Sequence, residues 1–367
     1  MTLFIPGLKL SRLFYEEAVR PVLERHFAHL RYSAALIGHG SEVLGYDTER
    51  STDHHWGPRV ELFLSTRDHA RYSRQIADGL SRELPVSFRG YSTNWGSPGA
   101  KGVQLLQAVK RGPVSHRVDL VTVKGFVERE MHFDPYADVD VLDWLTLPQQ
   151  ELLCLTSGEV FYDGLGELEK VREKFRYYPH DVWLFLIASQ WMNIGNEEAF
   201  PGRCAEAGDD LGSHILAARL VGELMSLCFM FEKKYMPYRK WLGTAFGRLE
   251  CGPALAPLFG AVLAAGKWPE REDTLCRAYE AVARLHNALG ITEPLSPEVR
   301  QFYGRPYMVL NAERFARATM AAIKDPRLRA LGPGMGSVDQ FDGSDATTDP
   351  RLARRLRGLY QTRPSGV

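Results

Sequence analysis

The chain has 367 residues, and its 45 Lys and Arg are balanced by 45 Asp and Glu, for a formal net charge of +0 at pH 7. Balanced charge argues against a general nucleic-acid or membrane-surface binder, since either needs a clustered positive field. Hydrophobic residues make up 45% and charged residues 25%, the profile of a globular protein whose length suggests two domains. Five cysteines (Cys154, Cys204, Cys228, Cys251, Cys276) are scattered and form no C-x-x-C pair. That usage fits reduced thiols in a cytoplasmic protein better than a disulfide frame or a zinc site. No uninterrupted apolar run reaches the roughly 18 residues of a membrane span; the best, Leu255 to Ala265, is short and contains Pro257. Lys9, Arg12, Glu16 and Glu17 near the start do not read as a signal peptide.

Residues 1–140 alternate helix and strand signals. Leu13 to Leu30 places Phe14, Ala18 and Val22 on one helical face, with a kink expected at Pro21. Ser33 to Ile37 and Val60 to Leu64 are short apolar runs of the buried-strand kind. Arg67 to Leu84 reads as a helix stopped by Pro85, and Gly90 to Gly102, with four glycines, as a loop. His116 to Val123 alternates as a third strand. From Val141 helical patterns take over: Glu167 to Arg176, Asp181 to Ile194, Asp210 to Tyr235, Arg271 to Leu289 and Glu313 to Ile323. The expected architecture is α+β: a small mixed sheet with flanking helices over 1–140, then a helical bundle over 141–331. Residues 332–367, rich in Gly, Asp and Thr before a basic run, are expected to be partly ordered.

The chemistry concentrates between Ile37 and Trp56. A strand ends in Gly40-Ser41, where a bare backbone can approach a phosphate and a hydroxyl can donate to it. Asp53 and His55 follow just before the next strand, two apart and so able to share a site. Asp119, in His116-Arg-Val-Asp-Leu, is a charge on an otherwise apolar strand, and either faces that site or pairs with Arg117 or Arg59. Glu61 is a reserve carboxylate, while His39 and His54 read as structural. In the helical part, Phe231 to Trp241 gathers cations and aromatics; Lys234, Tyr238 and Lys240 could hold phosphate or stack on a ring, or simply form a packed amphipathic corner.

Gly40-Ser41, a spacer, then Asp53-x-His55 resembles the signature of the polymerase-beta-like nucleotidyltransferase superfamily. More closely, the stretch from Gly40 through Arg59 resembles a bacterial family catalogued as a domain of unknown function, with such a head before a helical domain. Tyr178-Pro-x-Asp181-Val-Trp183, Pro237-Tyr-x-Lys240-Trp241, His286-Asn287, Arg305-Pro306 and Gly336-Ser-Val-Asp-Gln-Phe341 fit it too. The resemblance implies transfer of a nucleoside monophosphate from a nucleoside triphosphate to a small-molecule acceptor in an interdomain cleft. It also implies Mg2+ or Mn2+ held by Asp53, His55 and Asp119, with Gly40 and Ser41 on the phosphates. Long nucleic acid and membrane are not among the expected partners. His55 departs from the superfamily pattern, which has a carboxylate there, and imidazole suits transition metals better than magnesium. Three readings stay open: an altered metal arrangement, a nucleotide sensor without transfer, or a reused fold in which His55 does acid/base work as a lyase, cyclase or hydrolase.

Overall fold

The computed structural model describes residues 4–99, 102–341 and 349–361. The chain divides into two units: Met1–Asp138 with Glu151–Arg176, and Val139–Gln150 with Tyr177–Val367. The sheet of the first unit has four strands, β1 (Tyr32–Leu36), β2 (Arg59–Leu64), β3 (Arg117–Val121) and β4 (Glu159–Asp163). Their order is β3-β2-β1-β4, with β2 and β3 parallel and the other neighbours antiparallel. The fold is therefore α+β with a mixed sheet.

Strand alternation gives this sheet two unlike faces. Val60, Leu62, Leu64 and Val118 face an apolar core with Leu10, Phe14, Ala18 and Val22 from the N-terminal helical segments. Those segments run Gly7–Phe14, a π-type turn at Tyr15–Val19, and Arg20–His26. Proline cannot donate a backbone hydrogen bond, and the widened turn that absorbs this loss lies just before Pro21. The opposite face carries charge, because register sets Arg59 beside Arg117 and Glu61 beside Asp119. Ser65 caps the next helix, Thr66–Glu83, by accepting from Asp68 N at 3.1 Å.

One strand of the sheet comes from beyond residue 140. β4 lies in the segment read as helical, and it belongs with the first unit. Its residues are mostly half-buried without clean alternation, as an edge strand allows, so no period-2 signal marks it. Asp163 at its end holds Ser33 Oγ at 2.5 Å and Gly166 N at 3.0 Å, closing the connection that follows.

The second unit is mainly helical, with a small ladder pairing Arg300–Gln301 with Met308–Val309. Its helices include His180–Glu197, Asp210–Phe231, Gly252–Ala264, Trp268–Ala288 and Glu313–Ala322. His180–Glu197 is buried on nearly every side from Val182 to Trp191, which explains its apolar run without a polar stripe. Asp210–Phe231 corrects the search for uninterrupted apolar runs: with mean hydropathy 1.5 it is long and apolar enough to cross a membrane by composition. Half of that window is buried inside the structure.

The segment after Gly332 is better anchored than its composition suggests. Asp339 is half-buried and its carboxylate accepts from Gln149 N at 3.1 Å, while Gln340 Nε2 donates to Gln190 Oε1 at 2.8 Å. Pro350–Arg355 and Leu356–Tyr360 are helical turns, tied down by Arg357, which pairs with Asp140 at 2.6 Å and with Asp143. The rest of the expected tail, 342–348 and 362–367, lies outside the described residues.

At the centre of the second unit, Trp191 Nε1 donates to His286 Nδ1 at 3.1 Å. That bond requires an unprotonated Nδ1, and burial pushes the His286 imidazole down to about 4. The unfolded chain takes up this proton first, so the contribution of His286 is complete above about pH 6.5 and fades as pH falls toward 4. The loss amounts to about 3 kcal/mol. Asp339 and Glu198, both pushed up to about 7 by burial, have the opposite pH dependence, so the readout must be a difference. Urea unfolding of wild type and His286→Gln between pH 4 and 7 should show the wild type losing more stability on acidification. Parallel curves would refute the assignment.

Candidate functional site

The charged face of the first unit's sheet is organised around Arg59. This buried side chain donates from Nε to Glu42 Oε1 at 2.9 Å and from Nη2 to the His39 carbonyl at 2.7 Å. Its Nη1 lies 3.7 Å from Glu61 Oε1. Burial opposes the charge, but Glu42 and Glu61 more than offset that and hold the guanidinium charged. Glu61 is itself buried, and this pushes its carboxyl up to about 7, with Arg59 acting downward and Asp119 upward. Its backbone partner is Ile37 N, donating to Oε2 at 3.2 Å. Opposite it on β3, Asp119 is only partly buried. Two adjacent carboxyls in unlike environments are the arrangement that separates an acid from a base.

Arg117 is the second guanidinium of this face. It packs over the Trp95 ring at 5.1 Å and approaches His55 Nδ1 at 3.4 Å. Among the described residues no carboxylate lies within ion-pair distance of it. Burial first, then the nearby Arg117, lowers the His55 imidazole, so His55 is neutral near pH 7. Its backbone has φ +50, held by a bond from His55 N to the Gln104 carbonyl at 2.9 Å.

Gly40 is placed where the sequence puts it, at the turn after β1, but its bareness serves a different neighbour. With φ +150, a Cβ there would fall 2.6 Å from Arg59 Nη2 and 2.7 Å from Glu42 Oε2. The missing side chain makes room for this ion pair. Ser41 is half-buried, and its carbonyl accepts from Tyr46 N at 2.8 Å, closing the short turn. Asp47, not marked by the sequence, locks this loop by accepting from Gly7 N at 2.7 Å and Trp56 Nε1 at 2.9 Å.

Asp53 and His55 do not lie on a strand. Asp53 ends a 3-10 turn, Glu49–Asp53, is 71% exposed, and takes a 2.5 Å hydrogen bond with His54 Nδ1. The alternation argument that aimed both side chains into one site therefore does not apply, since His55 falls in a left-handed turn. Asp53, His55 and Asp119 are not gathered into a cluster of metal-ligand spacing; among the described residues that description fits His39, Glu151 and Cys154. With Asp53 turned to His54 and His55 against a guanidinium, the three residues as placed do not fit a divalent cation.

Lys234, Tyr238 and Lys240 belong to the second unit. Lys234 N donates to the Phe229 carbonyl at 2.9 Å, closing the end of the Asp210–Phe231 helix. Tyr238 is exposed, with its backbone N on Gln150 Oε1 at 2.8 Å, and Lys240 Nζ lies 4.9 Å over the Trp241 ring. Elsewhere in that unit, Asn193, Asn196, Arg219 and Gln340 line a polar cleft of about 170 Å³.

A family model described as a domain of unknown function (DUF4037) matches residues 144–242, which include Tyr178 to Trp183 and Pro237 to Trp241. The Gly40 to Asp119 segment lies outside that match. No curated protein and no solved structure matches the chain.

Proposed function

We propose that the first unit binds a nucleoside triphosphate on the charged face of its sheet and transfers the nucleoside monophosphate to a small-molecule acceptor. The observation that carries this reading is Arg117 two residues from Asp119 on β3, a guanidinium with no carboxylate in ion-pair distance among the described residues, beside a partly exposed carboxylate. A guanidinium so placed suits phosphate oxygens, and the turn at Gly40-Ser41 offers backbone and hydroxyl donors beside the same face. In the reaction, Asp119 takes the proton of the acceptor hydroxyl, whose oxygen forms a bond to the α-phosphorus. The bond from the α-phosphorus to the bridging oxygen breaks, and pyrophosphate leaves with that electron pair. Balanced charge across the chain favours a small acceptor over a long nucleic acid.

Calorimetry with ATP, GTP, CTP and UTP, each with and without Mg2+ or Mn2+, tests the binding half. One nucleotide should bind wild type, and Arg117→Met should weaken it at least about tenfold. Asp119→Asn should retain binding and lower transfer by about 10²–10⁴. Absence of binding by every nucleotide sinks this reading. A second reading, acid/base chemistry on a different substrate, rests on the neutral His55. It is favoured if no nucleotide binds.

A further inference from the structure

Local sequence gives His39 as a packing residue, and the cysteines as a pattern without a metal site. The fold places them otherwise. Gly38, with φ +90, turns the chain after β1, and its N donates to the Cys154 carbonyl at 2.9 Å. This pins the end of the strand to the helix Gln149–Thr156. Glu151 and Cys154 stand three apart on that helix and so share one face. Glu130 comes from the last turn of the helix Val123–Met131.

The side chains converge on the imidazole. His39 Nε2 lies 3.2 Å from Glu151 Oε2 and 3.3 Å from Glu130 Oε2, and Cys154 Sγ lies 3.5 Å from Nδ1. One ligand atom from each of His39, Glu151 and Cys154 falls within 4.8 Å of the others. Metal arms of about 2.0–2.3 Å in a tetrahedron set ligand atoms about 3.3–3.7 Å apart, so an ion held through one nitrogen of His39, whose Nε2 faces Glu151 and whose Nδ1 faces Cys154, would draw the third ligand inward from the 4.8 Å limit. Glu151 Oε2 is itself buried, and the His39 ring faces it at 3.2 Å without hydrogen-bond alignment. A buried carboxylate oxygen without an aligned donor is costly, and this one is aimed into the cluster. The half-exposed ring of His39 leaves a route in from solvent.

We infer that His39, Glu151 and Cys154 form a binding site for a thiophilic divalent transition metal of the Zn2+ class, with Glu130 as a further oxygen donor. Thiolate and imidazole beside carboxylate select zinc or cobalt over magnesium. The helix Gln149–Thr156 and the end of β1 are far apart in sequence, and the ion would join them. The site stands on its own geometry and needs no nucleotide chemistry.

The test uses the full chain, stripped with a chelator and titrated with Co2+ and then Zn2+. About one equivalent of Co2+ should bind with a thiolate-to-cobalt charge-transfer band in the near ultraviolet, and Zn2+ should displace it. Cys154→Ser should abolish the band, and His39→Gln should weaken Zn2+ binding more than about tenfold, since even outer-shell losses cost 10–100-fold. His39 is largely exposed, so its variant keeps the test decisive if Cys154→Ser fails to fold by circular dichroism. Two results overturn the site: no charge-transfer band at saturating Co2+ in folded protein, or equal Zn2+ affinity in wild type and His39→Gln. Either leaves His39 as an imidazolium between two carboxylates.

Discussion

Arg59→Met is expected to cost about 3–5 kcal/mol and to leave the first unit largely unfolded under mild denaturant. Methionine fills the volume of the stem but cannot neutralise Glu42 and Glu61, both of which are buried. It also strips the donor from the His39 carbonyl, which Arg59 Nη2 meets at 2.7 Å. The double variant Arg59→Met, Glu42→Gln should recover part of the loss, because one uncompensated charge is removed with its partner. Urea unfolding of the three proteins, followed by circular dichroism, measures both effects. A loss below about 1 kcal/mol for the single variant would mean that the guanidinium does not hold this face together.

Trp191→Ala is expected to be comparably severe in the second unit, at about 3–5 kcal/mol. The indole is fully buried, stacks on Phe315 with centroids 4.8 Å apart, and lies 6.5 Å from Phe231. Truncation opens a cavity at the meeting of four helices and orphans His286 Nδ1. Trp191→Phe keeps most of the packing and loses only the donor, so it should cost about 1–3 kcal/mol. Denaturant midpoints rank the variants; equal midpoints for Trp191→Phe and Trp191→Ala would mean that packing contributes nothing beyond the hydrogen bond.

Reading order and packing separate what the sequence makes visible from what it hides. The periodicities of Val60 to Leu64 and Arg67 to Leu84 depend on local steric rules and on one buried face, and both elements form close to where those patterns place them. β4 escapes detection because an edge strand need not alternate. The segment after Gly332 is anchored through Asp339, Gln340 and Arg357, whose partners lie roughly 150 to 220 residues upstream in the chain.

The candidate site divides in the same way. Gly40, Asp119 and the reserve carboxylate Glu61 are visible as unusual residues in their local setting, and all three lie at or beside the charged face. The neighbours of Asp53 and His55 depend on backbone turns that motif spacing does not encode, and the structure turns them toward His54 and Arg117. His39, Glu130, Glu151 and Cys154 carry no shared local signal, since helix and strand ends bring them together across about 115 residues. By itself the sequence determined the alternation of elements and the charged strand residues, because those follow from short-range sterics and the cost of burying charge. Only the tertiary structure decided which charges meet, because register, edge pairing and chain return act between segments that local pattern leaves independent.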